Sequence, residues 1–116
     1  MGKLSTHVLD TSRGRPAAGV RIDVCREEAS GFQLIKSVTT NADGRTDEPL
    51  LAGAALLVVA YRLVFHVGDY FASTGSPDAR KFLDQVPVDF IVVDASANYH
   101  VPLLVSPWGY STYRGS

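Results

Sequence analysis

The sequence holds one cysteine, Cys25, which excludes an intrachain disulfide and a cysteine-based zinc site. It lacks a surplus of either charge: eleven basic against twelve acidic residues leave −1. That balance excludes a generally basic nucleic-acid binder, although not a local patch. No long apolar run is present. Leu50 to Tyr61 is the longest, closed by Arg62, too short to span a bilayer. Met1 to His7 has no apolar run, so no secretory signal is expected and a soluble cytoplasmic protein is the default. Met1-Gly2-Lys3-Leu4-Ser5-Thr6 formally fits a myristoylation pattern, but six residues match often by chance. Helical signals are scarce too, with Gly68 to Thr74 the one convincing stretch.

What is present reads as β-structure. The 116 residues suit one domain, 1–116, and 46% apolar with 20% charged residues excludes disorder. Val20, Ile22 and Val24 alternate with Arg21, Asp23 and Cys25, a half-buried strand. Phe32 to Thr39 follows Ala29-Ser30-Gly31 as the second arm of a hairpin. Asn41-Ala42-Asp43-Gly44 is a turn, with Asn and Asp to cap it and Gly for positive φ. Ala54 to Val67 opens as a helix would, but its β-branched and aromatic continuation predicts a strand. Val86 to Val92 and Tyr99 to Val105 alternate as further strands. Pro102 lacks a ladder donor, so its nitrogen faces away from a partner or its strand is an edge. Tyr110 to Arg114 forms a last strand. Many short strands and one short helix define an all-β sandwich or barrel.

Three histidines invite a search for chemistry. His7 shares a face of its strand with Ser5 and Leu9. His100 points away from Tyr99, Val101 and Leu103, together with Pro102 and Leu104. His66 ends a long strand beside Gly68-Asp69 and reads as structural. No histidine pair has i, i+2 or i, i+4 spacing, so no metal site is expected. Taken singly, His7 and His100 are more often structural than catalytic. Arg45 follows the turn directly and could clamp an oxyanion or a urea-like group, with Asp47 to orient it. The absence of a Gly-x-Ser-x-Gly elbow argues against serine catalysis. Cys25 reads as a bystander thiol, and Pro107 and Trp108 as packing. The chain end, Tyr110-Ser111-Thr112-Tyr113-Arg114-Gly115-Ser116, is aromatic and β-prone where termini are usually frayed, so it is expected to dock.

Four blocks then resemble a known family. They are Leu4-Ser5-Thr6-His7-Val8-Leu9-Asp10 with Gly14-Arg15-Pro16-Ala17; Thr40-Asn41-Ala42-Asp43-Gly44-Arg45-Thr46-Asp47; Tyr61-Arg62-Leu63-Val64-Phe65 leading into Gly68-Asp69-Tyr70-Phe71; and Tyr99-His100-Val101-Pro102-Leu103-Leu104 through Ser106-Pro107-Trp108-Gly109-Tyr110 to the end. Together they resemble the 5-hydroxyisourate hydrolases, transthyretin-related enzymes of purine breakdown. The ending Tyr113-Arg114-Gly115-Ser116 is that family's signature, and transthyretin lacks it. The match runs in order over nearly the whole chain and no signature position departs from the pattern; Gly75 to Gln85 matches least.

The resemblance implies a transthyretin-like sandwich of two four-stranded sheets with one short helix, assembled as a homotetramer, a dimer of dimers with sites at subunit interfaces. It implies His7, Arg45 and His100 as catalytic residues. Ser111, Tyr113, Arg114 and Ser116 would bind substrate or close the site. The implied reaction opens 5-hydroxyisourate with water and needs no cofactor or metal, no nucleic acid and no membrane. The rival readings are a transthyretin-like carrier of a small ligand, and a sandwich module that only mediates association.

Overall fold

The computed structural model describes residues 1–115. Its strands are β1 (Lys3–Asp10), β2 (Arg15–Pro16), β3 (Arg21–Glu28), β4 (Gly31–Thr39), β5 (Leu51–Ala52), β6 (Ala60–Phe65), β7 (Val86–Ile91), β8 (Tyr99–Ser106) and β9 (Gly109–Thr112). One helix, α1 (Val67–Ser73), follows β6. The strands form two sheets, β2-β1-β8-β9 and β4-β3-β6-β7, and the short β5 joins the first by pairing with β1. The expected sandwich of two sheets with one short helix is what the chain forms; β5 is an addition to it.

Alternation decides which side chains fill the space between the sheets. On β1, Leu4, Thr6, Val8 and Asp10 are buried while Ser5, His7 and Leu9 are half-buried. On β8, Tyr99, Val101, Leu103 and Val105 join the core, opposite His100 and Leu104. From the other sheet come Ile22, Val24, Tyr61, Leu63, Phe65, Val86 and Val88. Each fully buried large apolar side chain contributes about 1.5–3 kcal/mol relative to exposure. That is ample to fix register, because a one-residue slip would turn the apolar set outward.

One inward residue is charged. Asp10 accepts hydrogen bonds from the Ser12 amide and hydroxyl and the Arg13 amide at Oδ1, and from the Tyr70 hydroxyl at Oδ2. Burial, reinforced by the hydrogen bond to Asp10 and its charge, pushes the Tyr70 phenol up to about 12. The pair ties α1 to β1, and among the described residues no buried side-chain polar atom is left unpartnered.

Three expectations change. Ala54 to Val67 is not one strand: Gly53–Ala55 makes a short 3-10 turn, the strand begins at Ala60, and Val67 already opens α1. Apolar Leu57 and Val58 are exposed, so the run is continuous in sequence without lying in a sheet. The last strand is Gly109–Thr112 rather than 110–114. Trp108 is 54% exposed and stacks on the still more exposed Phe82 rather than packing in the core.

Pro102 sits in a central strand, not an edge. The Thr112 hydroxyl donates to its carbonyl, and the Gly115 amide donates to the His100 carbonyl, so these groups of β8 face β9 and the tail. The missing donor therefore faces the tail, opposite Tyr113 in register, and the β1 ladder is untouched. Among the described residues no helix is long and apolar enough to cross a membrane.

Candidate active site

β1 and β8 run parallel with Ser5 opposite His100, His7 opposite Pro102 and Leu9 opposite Leu104. β9 runs antiparallel on the far side of β8, with Ser111 opposite Leu104. The tail keeps that register to a bridge between Gly115 and His100. Cross-strand partners share a face. The outer face of this sheet is therefore a grid of three rows: Ser5–His100–Gly115, His7–Pro102–Tyr113 and Leu9–Leu104–Ser111. His7 and His100, far apart in sequence, are diagonal neighbours on it, which strand geometry spaces by about 7–8 Å between Cα atoms.

The Asn41–Gly44 turn brings the arginine. Asn41 Oδ1 accepts from the Asp43 and Arg45 amides, and its side-chain amide donates to Asp47. Asp47 thus braces the turn through Asn41 rather than pairing with Arg45 as expected. The turn abuts β1 because the Val8 amide donates to the Gly44 carbonyl at 2.7 Å. Gly44 has φ +75°, and a Cβ there would run into the Val8 carbonyl oxygen, so both backbone conformation and proximity demand glycine. Arg45 emerges exposed beside Ser5 in a cleft of about 190 Å³.

Each histidine is held by a different kind of atom. His7 Nε2 lies 2.8 Å from the Asp43 carbonyl oxygen. A carbonyl only accepts, so His7 carries a proton on Nε2 and leaves Nδ1 without that proton in the neutral ring. His100 Nδ1 lies 2.9 Å from the Ser5 hydroxyl. Burial pushes His100 below the ordinary histidine range, and the positive charges of Arg45 and His7 add to it. Ser5 lines the Arg45 cleft and bonds the His100 ring, so the arginine and that ring share one corner of the face. Gly115 closes the His100 side: a Cβ on it would come within 2.6 Å of the ring's Cδ2.

The tail residues divide. Ser111 belongs to a row of the outer face, and Tyr113 continues that register while also lining the crevice beside Arg114. Arg114 belongs to no row: its guanidinium lies over the Tyr99 ring, 4.3 Å from the centroid, and donates to the Asn98 carbonyl. There it borders an apolar crevice of about 340 Å³ between β7 and the tail, which contains none of the histidines and not Arg45. Ser116 lies outside the described residues. Among the described residues, no group of three or more His, Cys, Asp or Glu side chains is placed to hold a metal. His66 is elsewhere, 2.7 Å from Asp23 on the other sheet, as its structural reading anticipated. Cys25 lies on that sheet as well; burial and the nearby Asp23 charge push its thiol up, which suits a bystander.

Sequence reasoning did not single out Ser5 or the Asp43 carbonyl. The shared face of Ser5 and His7 was visible, but nothing in the pattern says that β1 pairs with β8, or in which direction.

This architecture is that of a transthyretin-type sandwich bearing two histidines on one outer sheet face, with an arginine from the adjoining turn beside it. The HIUase/Transthyretin family model matches residues 4–115, and the chain belongs to that family. A protein of Rhizobium meliloti (strain 1021) named 5-hydroxyisourate hydrolase 2 is 56% identical over 99% of this chain and 97% of its own. The crystal structure of (S)-allantoin synthase superposes with a TM-score of 0.92 at 44% identity over 99% of this chain, which spans only 44% of that longer one. Sea bream transthyretin in complex with thyroxine superposes with a TM-score of 0.87 at 27% identity, covering 97% of this chain and 94% of its own.

Proposed function

We propose that the chain is a 5-hydroxyisourate hydrolase, acting as one functional domain over 1–116 and yielding 2-oxo-4-hydroxy-4-carboxy-5-ureidoimidazoline. The observation that carries the reading is the outer-face grid, where register sets His7 and His100 on one face and the Asn41–Gly44 turn brings Arg45 beside Ser5. Water must add to an activated acyl carbon, the ring carbon–nitrogen bond must break, and the leaving nitrogen must gain a proton. That needs a base, an oxyanion partner and an acid. His100, kept neutral by burial and by the neighbouring cations, suits the base. Its Nε2 takes a proton from water as oxygen attacks the carbon. Arg45 meets the developing oxyanion with a planar, permanently charged donor set. His7, held through Nε2 by the Asp43 carbonyl, delivers a proton from Nδ1 to the leaving nitrogen when charged. Ser111, Tyr113 and Ser116 bind substrate from the tail side, and Arg114 acts by fixing the tail.

The reading extends to a homotetramer, a dimer of dimers in which a second copy faces this grid and encloses the substrate, and to a cytoplasmic setting. No cofactor enters the reaction. The test is the lifetime of 5-hydroxyisourate generated in the cuvette by urate oxidase, followed by its transient ultraviolet band. Faster decay with the wild-type protein, lost in His100→Ala, is the expected outcome. Unchanged decay with folded, tetrameric protein would leave the carrier reading, which the likeness to a thyroxine-bound transthyretin favours.

A further inference from the structure

Ser5 is the one residue of the grid whose side chain bonds a histidine ring yet has no assigned part in the reaction. It stands directly opposite His100 in the parallel register, with its hydroxyl 2.9 Å from Nδ1. No other described side chain or backbone group bonds that hydroxyl. We propose that Ser5 is a positioning residue for His100: it accepts a hydrogen bond from Nδ1–H and so makes Nε2 the basic atom presented to water. This rests on the hydrolase reading above.

The argument is one of tautomers. A neutral imidazole is a base at one nitrogen only, the one without a proton. His100 meets the substrate through the nitrogen that Ser5 does not hold. For Nε2 to take a proton, Nδ1 must carry one and needs an acceptor. The Ser5 oxygen supplies it. When Nε2 gains water's proton, the ring becomes an imidazolium and Nδ1–H still donates to the same oxygen. The contact therefore holds the ring in place before and after transfer. A carboxylate here would accept as well, but its charge would favour the imidazolium and raise the ring's pKa. A hydroxyl orients without charging. Gly115, pressed against Cδ2 on the other side of the strand, completes the clamp on the ring.

The experiment joins kinetics to histidine-selective 15N NMR on full-length wild-type, Ser5→Ala and Ser5→Thr proteins. In wild type, the His100 ring is expected as the Nδ1–H tautomer. In Ser5→Ala it should shift toward Nε2–H, and kcat should fall roughly tenfold or more, within the span that acid–base help supplies, with KM little changed. Ser5→Thr keeps the oxygen and should restore both. A bare Nδ1 in the wild-type spectrum overturns the proposal. So does a Ser5→Ala protein with wild-type kcat and an unmoved His100 spectrum. The spectra need no substrate: a wild type inert toward 5-hydroxyisourate sinks the hydrolase reading, while the tautomers still decide what Ser5 does to His100.

Discussion

The two sheets treat their outward histidines in opposite ways. On the outer face of the β4-β3-β6-β7 sheet, His66 is paired with Asp23, which also accepts from Ser37 and Arg21. Burial would raise the Asp23 carboxyl, but the hydrogen bonds from Ser37, His66 and Arg21 outweigh it and hold it below the usual range. Nearby Arg62 is likewise neutralised by Asp89. On the outer face of the other sheet, His7 and His100 bond a carbonyl and a hydroxyl, and the charge beside them is the cation Arg45. His66, largely buried and locked to Asp23, is a strut. A histidine surrounded by neutral acceptors and a cation stays available as a base. The difference lies in the partner, not in the residue.

Breaking the second face should cost activity, and the largest effect is expected at its histidines. His7→Ala and His100→Ala should each lower kcat by roughly 10²–10⁴-fold, the scale of lost acid–base help. Near-normal turnover in either folded variant would remove that residue from the mechanism. Removing Tyr113 to Ser116 should abolish turnover while the melting temperature moves little, because no core residue is lost; a fully active truncation would separate the tail from the site. A subtler break is electrostatic. The His100 titration midpoint followed by NMR should lie below that of an ordinary histidine, and Arg45→Gln should move it upward by removing one of the two neighbouring cations. Since His100 is lowered in the folded protein, its contribution to stability is complete above the unfolded value near 6.5 and is lost as pH falls through the folded value. The smallest effect belongs to the first face. His66→Ala should cost about 1 kcal/mol in chemical denaturation, since Asp23 keeps two other partners, with kcat unchanged. A large loss of turnover there would erase the contrast.

Much of this was legible in the residues, and the illegible parts share one cause. Alternation along β1 and β8 gave the inward and outward sets, because one face of each strand is buried, although Pro102 on the outward set is buried too. The turn before Arg45 was legible because Asn, Asp and Gly each have a local reason to be there. The Ala54–Val67 run misled because apolar, β-branched composition does not report whether a sheet neighbour exists. Leu57 and Val58 have the composition of a strand and the exposure of a loop. Pro102 left two possibilities open, and the nine-strand topology chose between them. What no local pattern carried was pairing: the parallel β1–β8 register sets Ser5 on His100, and the tail's return sets Gly115 against the same ring. The resemblance to a family supplied the candidate residues, but not the reason they meet.

The gap at Pro102 bears on how the protein is made and kept. The tail is stitched to β8 at Ser111 and again at Gly115, with a missing stitch between them at Tyr113. With no backbone bond there, only side chains hold the stretch, the Thr112 hydroxyl on the Pro102 carbonyl and Arg114 on Asn98 and Tyr99, so it can open from its outer end without unzipping the sheet. Amide exchange should therefore be fast at Gly115, slow along β1 and β8, and graded between, which gives the site an opening motion far cheaper than unfolding.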